Sequence, residues 1–270
     1  MLVAPGCEHL LHVNNLDSLD AIFADSIGER LDKPGLPSWR QRRRLAICDG
    51  GPQTLYLKRF TDPPAAARRE VRRSGTGAKT IAGLEWAWAQ ALARDGIPCV
   101  RLVALAEELH GSREVRSAIL TAAVPGDSLE RWAARWTQAD RAAVRTLIGT
   151  LSRLAARLHA CGYMHRDLYL SHVFYDPAAP PDDSLCLIDL QRMIRPTFCL
   201  RRWVVKDLAA LNYSAPPNLF SRADRLRWLK LYLGAVKLDG SARRLVYRVI
   251  GKTLRIQRRD ARRRLGEHFG

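Results

Sequence analysis

The sequence predicts an α+β chain in two lobes, a strand-rich first part over residues 1–124 and a larger, mostly helical second part over 125–270. Three observations predict it. Two hairpin-like strand pairs with one strongly periodic helix between them fill the first part. Pro125-Gly126 then interrupts the pattern. Beyond that break the periodicity turns helical, with one embedded hairpin, and no internal repeat is visible. A chain of 270 residues that is 47% hydrophobic can bury a core in each of two lobes sharing an interface. A cleft at such a junction is a common ligand site.

The first hairpin is RRRLAICDGGPQTLYLKRF, residues 42–60, two strand-like runs around the turn Asp49-Gly50-Gly51-Pro52, with Lys58 on the second strand. A proline- and arginine-rich stretch from Pro63 to Arg73 follows. Ile81, Leu84, Trp88, Ala91 and Leu92 then recur at helical spacing until Gly96 and Pro98 stop the helix. Glu85 falls at the buried edge of that helix, where a carboxylate is costly without a cationic partner. The second strand pair covers about Val103–Ala106 and Val115–Val124. After the break, Leu147, Ile148, Leu151, Leu154, Ala155 and Leu158 mark an amphipathic helix closed by Gly162. Residues 172–176 and 184–190 form a short hairpin ending at Asp189. The chain from Val204 onward reads as helix: KDLAAL, then SRADRLRWLKLYLGAVKL with Ser221 as N-cap, then a basic amphipathic helix over 243–265 with Leu245, Ile250, Leu254 and Ile256 on its packed side.

Composition narrows the class. No apolar stretch approaches the roughly 18 residues that span a bilayer, and MLVAPGCEHL lacks the parts of a secretory signal, so a cytoplasmic protein is expected. The cysteines Cys7, Cys48, Cys99, Cys161, Cys186 and Cys199 show no zinc-site spacing and read as reduced thiols, mostly in the core. A formal net charge of +17 implies anionic partners, although much of the arginine excess is also what base composition alone produces. GTGAKT at 75–80 imitates a phosphate loop, but Ala78 stands where that motif requires glycine before the lysine.

The chemistry is concentrated in YMHRDLYLSHVF, residues 163–174. Phosphoryl transfer needs placement and charge neutralisation: a lysine on the nucleotide phosphates, an acid orienting that lysine, an acid for the metal, and a carboxylate for the acceptor hydroxyl. Lys58, Glu85, Asp189 and Asp167 supply these types, each on the expected strand, helix, strand end or loop. Singly each match is weak; together they point to a protein-kinase-like fold.

The segments LYLKRF, GLEW, HRDLYLSHVF, LIDLQR, KDLAAL and SRADRLRWLKLYL resemble the lipopolysaccharide core kinases of Gram-negative bacteria, which phosphorylate heptose or Kdo sugars. The resemblance runs over about residues 40–237, with the first 25 residues and the basic tail only loosely tied. It places histidine, here His172, where protein kinases carry a metal-binding asparagine. That ring is open to three roles: a metal ligand, a hydrogen bond to phosphate or Asp167, or support beneath the loop. By position, Asp207 resembles the buried aspartate that pins the catalytic loop, His165 and Arg166 brace that loop, and Arg192 faces phosphate or substrate. The resemblance implies ATP and Mg2+ as cofactors and an anionic glycolipid or sugar acceptor, with no specific nucleic acid. The basic charge of the C-terminal helix is expected to draw the protein to an anionic membrane face or glycolipid, as a peripheral association. Two departures stand out. No glycine-rich loop precedes Lys58, leaving DKPGLPSWRQRRRL, with Arg42 or Arg44, to cover the phosphates; and the short stretch from Asp189 to Asp207 disfavours a peptide acceptor. Competing readings are a kinase of a protein, aminoglycoside or other polyol, and a silent pseudokinase or basic binding module.

Overall fold

The computed structural model describes residues 1–32, 35–137 and 140–268, with side chains described to residue 262. Lys33, Pro34 and the side chains of 263–265 fall outside the described residues, so part of the phosphate-covering segment and of the basic helix expected above lies there. The chain divides into two compact units, one of Met1–Val124 with Asp189–Gln191, the other of Pro125–Ile188 with Arg192–Gly270.

The first unit contains, in chain order, β1 (Leu2–Val3), α1 (Glu8–Val13), α2 (Leu19–Phe23), β2 (Glu29–Arg30), β3 (Arg40–Cys48), β4 (Pro52–Thr61), α3 (Ala65–Arg73), α4 (Ile81–Arg94), β5 (Leu102–His110) and β6 (Arg113–Ala122). Its strands form one antiparallel sheet in the order β1-β5-β6-β4-β3-β2. Strand periodicity sorts the side chains. Leu45, Ile47, Leu55, Leu57, Ala118 and Leu120 share a core with Leu10, Leu11, Leu16 and Ile22 of the N-terminal segment. Lys58 has the opposite parity, paired across the ladder with Arg42 and Ile119, and so points away from that core. The first 25 residues, loosely tied in the sequence, therefore back the sheet behind Lys58. The arginine-rich stretch after Pro63 is helical, with Pro64 preceding α3, where a missing amide costs nothing.

Helix α4 starts at Thr80, whose hydroxyl accepts the Gly83 amide. Its Ile81 amide goes to buried Glu114 at 3.1 Å, and Thr80 donates to Glu107. Burial first pushes the Glu114 carboxyl up to about 7; hydrogen bonds from Ser117 and the Ile81 amide oppose this, neighbouring Glu107 adds to it, and Arg68 counters.

The second unit holds β7 (Asp127–Ser128), α5 (Leu129–Arg135), α6 (Arg141–Ala160), β8 (Val173–Tyr175), β9 (Leu185–Leu187), α7 (Leu200–Ser214), α8 (Arg222–Leu233) and α9 (Gly240–His268), with a small sheet ordered β7-β8-β9. Gly126, at φ +78°, enters that sheet so closely that a Cβ would lie 2.1 Å from the Tyr175 carbonyl oxygen. Ser221 and Asp224 form a reciprocal capping box on α8, and Arg141 fixes the same aspartate through two contacts of 2.8 and 2.9 Å. An apolar cavity of about 500 Å³ is lined by Leu147, Leu151, Leu211, Trp228 and Val249 among others.

Two expectations are corrected. The packed face of α9 carries Ala242 and Thr253, both buried, while Ile250 and Leu254 are nearly half exposed. Thr253 bonds Asn212 and Tyr213 bonds Asp260, so polar contacts with α7 set the helix's rotation. The cysteines are free thiols, but Cys7 is the buried one; Cys48 and Cys199 are exposed and the other three intermediate. Cys48 ends β3 and Cys199 caps α7, positions that face solvent whatever their apolarity.

Candidate active site

The amine of Lys58 lies between two acids remote in sequence. Nζ donates to Glu85 at 2.7 and 3.0 Å and to Asp189 Oδ1 at 2.8 Å. Glu85 is buried, and its Oε1 also accepts the Leu190 amide at 3.3 Å. Burial alone would lower the Lys58 amine; the charges of Asp189 and Glu85 outweigh it and hold the group above its ordinary value. The amine is therefore a fixed cation at every physiological pH.

Asp189 sits at φ +60°, a left-handed conformation that aspartate tolerates better than most side chains. Gln191 donates to its Oδ1 at 3.2 Å, and Arg42 approaches its Oδ2 at 3.7 Å. Of the two arginines expected near the phosphates, Arg42 thus faces this acid, whereas Arg44 pairs with Glu29 at 2.6 Å on an exposed edge. The cluster of Lys58, Glu85, Asp189 and Arg42 belongs wholly to the first unit.

The second unit carries the loop. Asp207 on α7 is fully buried and accepts two successive amides, His165 at 2.7 Å and Arg166 at 2.8 Å. Arg166 has φ +70°, so the backbone turns through a conformation that a non-glycine residue holds only under constraint. The buried ring of His165 donates from Nε2 to the Ile188 carbonyl at 3.0 Å. His172, in a single 3-10 turn after the loop, donates from Nδ1 to the Asp167 carbonyl at 2.8 Å. That bond fixes Nδ1 as the protonated nitrogen of the neutral ring. It also closes the loop from Asp167 to His172 on itself, and the His165 and His172 rings stack at 6.0 Å.

Asp167 is not solvated alone. Arg192 Nη1 contacts both carboxylate oxygens, at 3.0 and 2.8 Å. The sequence placed Arg192 towards phosphate or substrate but offered no reason to pair it with Asp167. Lys206 was missed altogether: burial first, then repulsion from Arg192, bring its amine down to about 8, with Asp167 opposing the shift. No local pattern singled it out, since it neighbours Asp207 on α7 but successive helical residues point about 100° apart.

Among the described residues no three His, Cys, Asp or Glu side chains gather as a metal site. A magnesium ion carried by nucleotide phosphates needs no such cage, since it keeps waters and takes one or two protein carboxylates. Asp189, an oxygen donor already surrounded by cationic groups, suits that chemistry.

Comparisons with known proteins identify the family. The model of the lipopolysaccharide kinase (Kdo/WaaP) family matches residues 43–232. The chain is 30% identical over 154 residues to the lipopolysaccharide core heptose(I) kinase WaaP of Pseudomonas aeruginosa, covering 55% of this chain and 58% of that protein. Against the protein of the same description from Escherichia coli K12 the identity is 29% over 156 residues, covering 56% and 59%. The chain thus spans about three-fifths of the length of the curated relatives it matches. A solved structure described as WaaP in complex with acyl carrier protein shares the fold, with a TM-score of 0.67 and 24% identity over 97% of this chain and 98% of that one. With the family match extending from β3 through α8 and containing Lys58, Glu85, Asp167, Asp189 and Asp207, the chain belongs to the lipopolysaccharide kinase (Kdo/WaaP) family.

Proposed function

We propose that this chain is an ATP-dependent kinase that phosphorylates a sugar hydroxyl of the lipopolysaccharide inner core, with heptose as the acceptor sugar. The single observation that carries the reading is the Lys58 amine held by Glu85 and Asp189, residues 27 and 131 positions away. Three remote ionisable groups brought within hydrogen-bonding distance are the parts phosphoryl transfer requires. Heptose is favoured over Kdo because the curated relatives carry that sugar in their descriptions.

Each residue has one task. Lys58 binds the α and β phosphates, and Glu85 orients it; Arg42 adds charge on the same side. Asp189 would hold magnesium, which would supply positive charge to the phosphates. Asp167 accepts or orients the proton of the attacking hydroxyl, a role for which a carboxylate near neutral pH is suited. Asp207, His165 and Arg166 keep the loop in place, and His172 fixes the backbone of Asp167 through its carbonyl. With Nδ1 donating to that carbonyl, Nε2 keeps its lone pair in the neutral ring, which is compatible with a metal-ligand role and not with donation to phosphate.

The protein would act at the cytoplasmic membrane face. Among the described residues no helix is long and apolar enough to cross a membrane. Helix α9 offers exposed Tyr247, Ile250 and Leu254 beside Arg255, Arg258, Arg259 and Arg262, a combination suited to anionic headgroups. The decisive assay is transfer of labelled γ-phosphate to core glycolipid. Asp167→Ala is expected to lower it roughly a hundred- to ten-thousand-fold with the fold intact; unchanged turnover would refute the assignment.

A further inference from the structure

Asp189 is held on one oxygen by two donors of different kinds. Its Oδ1 accepts from the Lys58 amine at 2.8 Å and from the Gln191 side-chain amide at 3.2 Å. The carbonyl of that same amide accepts from Arg40 Nη2 at 2.9 Å, across 151 positions of chain. A guanidinium can only donate and an ionised carboxylate can only accept, so the Gln191 amide standing between them has a single orientation. Arg40 is itself fixed. Its backbone amide donates to the Pro37 carbonyl at 2.9 Å, and its guanidinium lies 5.5 and 5.8 Å from the centres of the Trp39 and Phe60 rings. It shares a strand face with Arg42, the residue paired with Lys58 across the ladder. Arg40, Gln191, Asp189 and Lys58 all belong to the first unit.

On the kinase reading, the nucleotide phosphates draw the Lys58 amine toward themselves. Asp189 then loses its charged donor on Oδ1, while its backbone must still be held at φ +60°. The Gln191 amide, gripped from behind by Arg40, stays. Being neutral, it orients the carboxylate without the repulsion that a direct arginine contact would raise against a metal ion. We infer that Arg40 and Gln191 are positioning residues: Arg40 locks the Gln191 amide, and the amide keeps Asp189 oriented for magnesium once Lys58 has turned to the phosphates. The inference rests on the kinase reading for the nucleotide and the metal, but this latch is read in binding, without turnover.

The test measures ADP binding to the full chain by calorimetry, in Mg2+ and again in EDTA; the ratio of the two affinities is the metal's contribution. Gln191→Leu is expected to lower that ratio about tenfold, as loss of a partner behind a metal-binding group does, and to leave binding in EDTA unchanged. Arg40→Met should lower it about threefold, since the amide keeps one of its two bonds. The direction is diagnostic. Removing a nearby positive charge by itself tightens the binding of a cation, whereas losing a positioning contact weakens it. In the double variant the ratio should match Gln191→Leu alone, because both residues act through one contact. Arg40→Lys should fall between Arg40→Met and the unaltered protein, keeping the charge without the fork. Circular dichroism checks each fold, and Gln191→Asn, a methylene shorter, gives the answer if Gln191→Leu does not fold. An unchanged ratio in Gln191→Leu, a raised one in Arg40→Met, or effects that multiply in the double variant overturn the proposal. Weaker ADP binding in EDTA by Arg40→Met would put the arginine on the phosphates and overturn it too. Transfer of labelled γ-phosphate to core glycolipid separates it from the kinase reading. A ratio that depends on Gln191 in a protein that transfers nothing sinks the kinase reading and leaves the latch standing. Transfer whose Mg2+ dependence neither substitution shifts does the reverse.

Discussion

The Lys58 cluster in the first unit and the Asp167 cluster in the second both hold their reactive groups in ion pairs, but they are built in opposite ways. Glu85 is 2% exposed in its side chain and Lys58 20%, and the pair is tied further by Asp189 and the Leu190 amide. The Asp167–Arg192 pair has a half-exposed arginine and, among the described residues, no second acid paired with it. Buried charges are costly to separate, whereas exposed ones exchange partners readily. The first cluster is thus fixed in advance, and on the proposed assignment it meets the nucleotide, while the second is left free to exchange partners.

That contrast can be broken most strongly at Lys58. Replacing it with methionine strands the buried Glu85 carboxylate and is expected to reduce stability by about 3–5 kcal/mol in denaturant titration. Adding Glu85→Gln should restore much of the stability and none of the phosphotransfer. A single variant that loses activity at unchanged stability would show that the cluster is less buried than its geometry implies.

Glu114, which receives the first amide of the helix carrying Glu85, gives the next largest effect. Its folded pKa of about 7 lies above the ordinary carboxylate value, so the folded state binds the proton more tightly than the unfolded chain does. Stability therefore falls as pH rises from about 4.5 to 7, by up to roughly 3 kcal/mol, and stays reduced above that window. Glu114→Gln should flatten this part of the pH–stability curve. An unchanged slope would place the titration elsewhere.

On the exposed side, Arg192→Ala should alter stability by no more than about 1 kcal/mol, measured in the same titration. A loss as large as that at Lys58 would erase the distinction between the two clusters. A separate effect, on binding and not on folding, is expected at α9. Binding to vesicles containing anionic lipid should weaken steadily with added salt, and Arg258→Ala with Arg262→Ala should reduce it further by roughly 1 kcal/mol per charge removed in a sedimentation assay.

The sequence made some of this plain for physical reasons. Glu85 was placed because a helix repeats every 3.6 residues, and a carboxylate at a buried edge must have a partner. Lys58 was placed by its position on the second strand of the first hairpin, and the loop by a match weak alone but ordered in the chain with the other three. Asp207 came by resemblance alone, since nothing in KDLAAL says which amides it will accept. The rest depended on contacts that no local pattern encodes. The six- and five-residue helices α1 and α2 are too short to show a period, yet they supply Leu10, Leu11 and Ile22 to the core. Ile250 and Leu254 were placed on the packed side of α9 by apolarity, but the hydrogen bonds of Thr253 and Asp260 turned them outward. The pairing of Arg192 with Asp167 spans 25 positions and arises from the fold.

The anchoring of the loop by Asp207 also bears on how the protein is made. The carboxylate that receives the His165 amide lies 42 residues further along the chain, and the helix bearing it is steadied by Thr253 and Asp260, later still. A chain emerging from the ribosome displays its nucleotide lysine well before its loop can be fastened. On the assignment given above, phosphotransfer begins only once translation has moved well past the residues that perform it.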